Sequence, residues 1–308
     1  MSKSFSVIIP VFNEETNLGL MVEAIKNVAG PLPYDYNIIF VDDGSSDNSL
    51  IAIKSLAARF PEVNYISFSR NFGHQNAIKA GFDVSRADAV ISMDGDMQHP
   101  PAMLPQLLDL WEQGNDIVYT IRRDHAELPK MKKKTSDLFY SVLRRLSSVE
   151  LEKGTADFRL LDKKVVDVLR EIKEYDLFWR GLVKWLGFKQ VSVEYDPAPR
   201  ASGHSKYNFK KMLELALKGI TSFSTKPLTI AIYLGFVCSL ISFFYFPYAI
   251  ISYYTGHVIS GWASVIVTIA FFGGIQLMIM GIIGLYLGKL FMQSKQRPHY
   301  IIAESNLE

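Results

Sequence analysis

A lone cysteine, Cys238, is all the thiol this 308-residue chain carries. That excludes an internal disulfide framework and a cysteine-built zinc site, and its apolar neighbours mark it as a small packed hydrophobe. Neither G-x-G-x-x-G nor G-x-x-x-x-G-K-[ST] occurs, so the standard dinucleotide and P-loop readings lose their support. An excess of one charge is missing too: 33 Lys and Arg against 31 Asp and Glu leave +2, which argues against a general polyanion binder and against nucleic acid as a partner. Met1–Ser6 lacks the basic-then-apolar order of a secretory leader.

The most informative absence is local. Positions 227 to 288 hold no Asp, Glu, Lys or Arg in a chain that is 21% charged. Pro227–Ile251 and Val258–Gly288 are each long enough to cross a hydrocarbon core of about 30 Å, with Pro247 placed to kink the first. The turn Ser252–Gly261 has no Lys or Arg, whereas Arg200, Lys206, Lys210, Lys211, Lys218 and Lys226 precede the spans and Lys289, Lys295 and Arg297 follow them. This asymmetry predicts a transmembrane helical hairpin over 227–288, with both flanks cytoplasmic. A buried hairpin of a soluble protein is the alternative. Phe209–Phe223 carries a broad apolar face with lysines beside it, so 209–226 reads as a juxtamembrane amphipathic segment, with an ordinary core-facing helix an equal claim. Residues 1–208 then form a domain on the cytoplasmic side and 289–308 a cytoplasmic tail.

The first two hundred residues alternate short β-branched runs with amphipathic stretches. Strands are expected at Phe5–Val11, Asn37–Val41, Val63–Ser67, Ala89–Met93 and from Ile117, with helices over about 15–28, 49–60, 76–85 and 102–113 between them. That rhythm predicts an α/β fold with a mixed, mostly parallel sheet covered on both faces. Ligands of such sheets sit beyond the carboxyl ends of the strands, where the acidic sequences fall.

Asp94 and Asp96, in MDGDMQHPP, follow one strand directly. Two carboxylates at this spacing suit a hard divalent cation that keeps open positions for phosphate oxygens, although surface capping is the ordinary use of such a pair. His99 is a ligand or a loop-packing residue. In DDGSSD, Asp42 and Asp43 stand where they would accept hydrogen bonds from a nucleobase or ribose, while Ser45 or Ser46, with Asp47, is placed to cap the next helix. The basic stretch from Arg122 to Arg145 is either an element near anionic headgroups or a solvated helix face. Asp157 and Arg159, in ADFRL, read on their own as a buried ion pair or cap.

Taken in order, PVFNE at Pro10–Glu14, DDGSSD, RNFGHQ at Arg70–Gln75, MDGDMQHPP, ADFRL and RASGHSKY at Arg200–Tyr207 resemble the family 2 glycosyltransferases that transfer a sugar to a polyprenyl phosphate. These include dolichyl-phosphate mannose synthases and bacterial undecaprenyl-phosphate glucosyltransferases, and the two spans match the bacterial membrane-bound branch. The resemblance implies a GT-A nucleotide-sugar-binding domain in which Pro10, Asn13, Glu14, Asp42 and Asp43 serve the nucleotide. Asp94 and Asp96 would bear Mg²⁺ or Mn²⁺, with Gln98 close to the sugar or diphosphate. Asp157 would hold the place of the family's candidate base, near Arg159, and Arg200, Ser205 and Lys206 would lie at the acceptor phosphate.

The implied activity is inverting transfer, with UDP-glucose as donor and undecaprenyl or a related polyisoprenyl phosphate as acceptor, to make a lipid-linked sugar for cell-surface polymers. GDP-mannose, a UDP-N-acetylhexosamine and a modified aminopentose are the alternative donors, and a non-catalytic nucleotide-sugar-binding membrane partner is the alternative of another class. Flipping of the product and its later use would fall to a separate flippase and a downstream glycosyltransferase. Gly273, Gly274, Gly281, Gly284 and Gly288 permit close helix packing, so a homo-oligomer is expected, tetrameric in some relatives.

Overall fold

The computed structural model describes residues 2–123, 154–196, 220–255 and 261–307. Its centre is one eight-stranded sheet with the strand order β7-β5-β6-β4-β1-β2-β3-β8. The strands are β1 (Ser4–Val11), β2 (Asp35–Asp42), β3 (Val63–Phe68), β4 (Ala89–Ser92), β5 (Ile117–Arg122), β6 (Thr155–Asp162), β7 (Gln190–Tyr195) and β8 (Ile302–Ser305). Pairs β1·β2, β1·β4, β2·β3 and β5·β7 are parallel, while β4·β6, β5·β6 and β3·β8 are antiparallel. The mixed, mostly parallel sheet expected from the sequence is therefore present.

The helices of the α/β part are α1 (Leu18–Ala29), α2 (Ser49–Arg59), α3 (His74–Val84), α4 (Leu104–Glu112), α5 (Lys163–Glu171) and α6 (Trp179–Trp185). Strand periodicity sorts the core into two layers. Phe5, Val7, Ile9 and Val11 of β1 face one side with Leu18, Met21 and Val22 of α1 and Leu104, Leu107 and Leu108 of α4. Ile8 faces the other side with Ile78 and Phe82 of α3, Val165 and Val166 of α5, and Trp179 of α6. Because both faces are covered, β1 reads as a continuous apolar run rather than an alternating one. Gly81 lets α3 approach β1 closely, since a Cβ there would stand 2.3 Å from Ile8 Cγ2.

Two long apolar helices follow, α7 (Lys226–Tyr254) and α8 (Trp262–Ser294). Pro247 lies inside α7 without ending it. Over Val267–Ser294, 28 residues whose 18-residue apolar window has a mean hydropathy of 2.0 and is 0% buried, α8 is long and apolar enough to cross a membrane. Among described side chains the apolar part of α7 is the shorter Lys226–Ile241. Helix α8 also runs past the predicted boundary at Gly288, to Ser294.

Residues 289–308 are more than a tail, because β8 pairs antiparallel with β3 and closes that edge of the sheet. Both ends of the apolar segment are tied to the same α/β domain. Phe223 packs on Phe178 beside Gly181, Lys289 pairs with Asp176 at 3.2 Å, and Gln293 donates to the Lys173 carbonyl at 2.7 Å. The basic stretch beyond Arg123, the segment 209–219, and Arg200, Ser205 and Lys206 lie outside the described residues.

Candidate active site

The carboxyl ends of β1, β2 and β4 open onto a cleft of about 420 Å³ lined by Pro10, Glu14, Asp43, His74, Asp94, Asp96 and Asp157 among others. Six of the residues singled out in the sequence thus meet in one place. Antiparallel pairing brings Asp157 there: β6 runs against β4 with Ser92 opposite Arg159, so continuing that register by two residues sets Asp157 beside Asp94. The Ser92 hydroxyl, donating to the Asp157 carbonyl at 2.7 Å, pins the junction.

Asp157 is buried and gripped by two arginines. Arg159 Nη2 donates to Oδ1 at 2.9 Å, and Arg180 donates through Nε to Oδ1 at 3.1 Å and through Nη2 to Oδ2 at 3.0 Å. Burial works against the ionised form, but the guanidiniums of Arg180 and Arg159 outweigh it and hold the Asp157 carboxyl well below the usual carboxylate range. A carboxylate that ionised is a weak proton acceptor near neutrality, so this geometry equips Asp157 to orient groups rather than to deprotonate them. Arg159 is itself only 3% exposed and also donates to the carbonyls of Ala156 and Trp179, which makes it the internal strut of the pair.

Asp94 faces two histidines, with His74 Nε2 3.4 Å from Oδ1 and His99 Nε2 3.6 Å from Oδ2. His74 also lies 3.9 Å from Asp157 Oδ2 and so links the two carboxylates. His99 Nδ1 accepts from the Asp94 N–H at 2.9 Å, which leaves the proton on Nε2, facing the carboxylate. Its ring stacks on Phe158 and meets Tyr195 edge-on, so of the two readings of His99 the packing one holds. Burial pushes the neighbouring Tyr195 phenol up to about 12, so it stays protonated. Asp96 Oδ1 accepts the Gln98 N–H at 3.1 Å across Met97, whose φ of 62° is costly for a side chain of that size. Among the described residues no three His, Cys, Asp or Glu side chains form a metal cluster. Asp94 and Asp96 nevertheless fit Mg²⁺ or Mn²⁺, because such ions are held by one or two carboxylates together with substrate phosphates and water.

The residues expected to serve the nucleotide divide into two groups. Asp43 lines the cleft, accepting from the Phe72 and Gly73 N–H groups at 2.6 and 2.9 Å; burial pushes its carboxyl up while those bonds pull it down. Asp42 is turned inward instead, with Oδ1 taking the Ser45 N–H and Oδ2 the Ser67 hydroxyl. It is only 1% exposed, so its carboxylate builds the turn. Asn13 also departs from the lining position expected of it: its Oδ1 accepts the N–H groups of Ser46 and Asp47, and its backbone holds φ at 58°, a conformation Asn tolerates. Gln98 accepts from Arg122 at 3.1 Å at the rim of the site. Gly44, at φ 69°, lies directly under the Arg70–Asn71 backbone.

Two residues of this site carry no role in the sequence reading, His74 and Arg180. His74 lies inside the quoted RNFGHQ motif, and that was its signal. Arg180 lies 23 residues beyond Asp157 on α6 and has no local motif to mark it.

The model of the family described as "Glycosyl transferase family 2" matches residues 6–170. "Uncharacterized glycosyltransferase YkcC" of Bacillus subtilis is 40% identical over 98% of this chain and 94% of its own length. The bactoprenol glucosyl transferase of Shigella phage SfV is 39% identical over 96% of this chain and 97% of its own, and the prophage bactoprenol glucosyl transferase homolog of Escherichia coli K12 is 38% identical over the same shares. Among solved structures, glucosyl-3-phosphoglycerate synthase from Mycobacterium tuberculosis, in complex with Mn²⁺ and UDP-glucose, gives a TM-score of 0.45 at 16% identity over 71% of this chain and 77% of that one, too distant to carry an argument. The sequence likenesses run through the acidic cleft and both apolar helices alike, and on them the chain belongs to glycosyl transferase family 2, as a relative of the bactoprenol glucosyl transferases.

Proposed function

We propose that this protein is a GT-A-like, inverting polyisoprenyl-phosphate glycosyltransferase that moves glucose from UDP-glucose to undecaprenyl phosphate at the cytoplasmic face of the membrane. The observation that carries the reading is the convergence of Asp94, Asp96, His74 and Asp157 in one cleft, in a chain whose likeness to bactoprenol glucosyl transferases extends over 96% of its length.

The acceptor chemistry agrees with the site. A phosphate monoester has a second pKa near 6, so it arrives at neutral pH largely as a ready nucleophile and asks for little general-base help. An Asp157 held ionised by Arg180 and Arg159 then acts as a positioning residue, keeping the guanidiniums and His74 where an anion is approached by a second anion. Pro10, Glu14 and Asp43 line the side of the cleft that would take the nucleotide, with Asn13 and Asp42 holding the turns beneath it. Asp94 and Asp96 would hold Mg²⁺ or Mn²⁺, which supplies charge neutralisation for the diphosphate leaving group. Arg200, Ser205 and Lys206 are proposed to meet the acceptor phosphate.

For topology we propose two spans, α7 and α8, with the catalytic domain and the C-terminal residues on the cytoplasmic side. Anchoring of Phe223, Lys289 and β8 on one domain supports an even number of crossings, since a chain that leaves that domain and rejoins it must return to the same side. A homo-oligomer, a separate flippase and a downstream glycosyltransferase complete the proposal. The test is sugar transfer by the detergent-purified protein with undecaprenyl phosphate, Mg²⁺ or Mn²⁺, and UDP-glucose, UDP-galactose, UDP-N-acetylglucosamine or GDP-mannose. A lipid monophosphoryl glucose is expected, and its loss in Asp96→Ala with membrane insertion intact. Another productive donor would replace glucose and keep the class; no transfer with any donor would overturn the reading.

A further inference from the structure

A second cavity, of about 1140 Å³, lies where the cytoplasmic end of α8 meets the α/β domain. Its helix wall is made by Gly284, Leu285, Gly288, Lys289 and Met292, and its domain wall by Arg70, Phe72 and Asn76 with Arg297–His299 across the mouth. Three features single it out. Arg70, Lys289 and Arg297 line it with one carboxylate, Asp176, which is already paired with Lys289; even with Glu174 beside that pair, the basic groups outnumber the acidic ones. Among the described residues Arg70 donates only to the Asn71 carbonyl, lies 4.0 Å over the Phe72 ring, and, like Arg297, pairs with no carboxylate. Burial moreover pushes the His299 imidazole down, toward its neutral form.

The floor, by contrast, is apolar and open. Gly284 and Gly288 stand one turn apart on the same face of α8, and a Cβ at either would meet nothing within 4 Å. A phosphate monoester on a hydrocarbon chain has the matching anatomy: a headgroup of about −1.5 to −2 at pH 7 and a tail that remains in lipid. The third feature is position. The loop between β3 and α3 and the first turn of α3 are shared by both cavities, with Asn71, Gly73 and His74 lining the acidic cleft and Arg70, Phe72 and Asn76 lining this one.

We propose that this cavity is the docking vestibule for the isoprenoid lipid monophosphate, receiving its phosphate between Arg70, Lys289 and Arg297 and its first isoprene units along Gly284 and Gly288 before the phosphate passes the shared loop. The inference rests on the acceptor reading given above. It assigns a lipid-recognition role to the end of α8 and to Arg297, apart from Arg200, Ser205 and Lys206.

The test uses the full-length protein in phosphatidylcholine nanodiscs. Arg297→Glu reverses a mouth charge, and Gly288→Leu fills the floor while leaving every charge in place. Each is expected to raise the KM for polyprenyl phosphate tenfold or more and to leave the donor KM within twofold. In parallel, a diazirine-bearing farnesyl phosphate is expected to label the peptide spanning 284–301 in the wild type and to lose that label in both variants. Normal acceptor KM in both variants, with an active wild type, would overturn the vestibule and leave the transferase reading standing. A wild type with no transfer would overturn the transferase reading, and labelling alone would then decide the cavity: a mark at 284–301 sustains a lipid-phosphate site and a mark elsewhere removes it. Competition by phosphatidylglycerol as effective as that by polyprenyl phosphate would reassign the cavity to bulk anionic lipid and overturn the proposal.

Discussion

Replacing Asp157 with Asn keeps the shape of the side chain and removes its charge, which makes it the sharpest probe of the arginine grip. Asn Oδ1 can still accept from Arg159 and from Arg180 Nε, but its NH₂ group would confront Arg180 Nη2, a donor, at the present 3.0 Å. Arg159, 3% exposed, would be left without its counter-charge. Removing one partner of a buried ion pair costs about 3–5 kcal/mol, which for a domain of this size lowers the Tm by on the order of 10 °C. The pH dependence is equally specific. The folded Asp157 carboxyl is held below the roughly 3.9 of an unfolded Asp, so its stabilisation is complete above that value and is lost only as pH falls through the folded one. The stability gap between wild type and Asp157→Asn is therefore expected to stay constant from about pH 5 to 9, measured by thermal unfolding in detergent. Transfer is expected to fall because the arginines lose their place, with no ionisation of Asp157 in the pH–rate profile. An acid limb between about pH 5 and 7 that persists in His74→Gln and vanishes in Asp157→Asn would refute this reasoning and make Asp157 a general base.

His74→Gln should lower kcat tenfold or more with little change in donor KM, because His74 lies within 4 Å of both Asp94 and Asp157, the end of the cleft proposed for the reaction; a change confined to donor KM would remove it from the reacting end. Gly44→Ala should destabilise the domain, since its Cβ would lie 2.5 Å from the Arg70 carbonyl carbon and the backbone is at φ 69°. Strain of roughly 1–3 kcal/mol should appear as a Tm lowered by several degrees, with transfer reduced because the Arg70–Asn71 backbone it would displace leads into His74 at the start of α3. Ending the chain after Tyr300 removes β8 and bares the β3 edge; lower thermal stability and concentration-dependent association, read by light scattering, are the expected outcomes.

The elements carried by local pattern were legible in the sequence. β1 to β5 and the helices between them follow from β-branched runs and amphipathic spacing, because both faces of a parallel sheet must be buried. The apolar segment was legible for an equally local reason, since a long run without charge has few uses outside a membrane. Asp94 and Asp96 were identified by standing directly after a strand. Asp42 and Asp43 looked alike for the same reason, and only packing separates them: one points under Ser67 and the other into the cleft.

What sequence alone settled, then, was the alternating α/β body, the apolar helices and the acidic strand ends, each of which depends on neighbours a few residues away. Tertiary structure decided the rest. Asp157 reaches Asp94 because β6 runs antiparallel to β4, Arg180 reaches Asp157 because α6 packs over that junction, and residues 302–305 find β3 across more than two hundred residues. Such pairings depend on register and on which edge of the sheet remains open, and no local spacing encodes either.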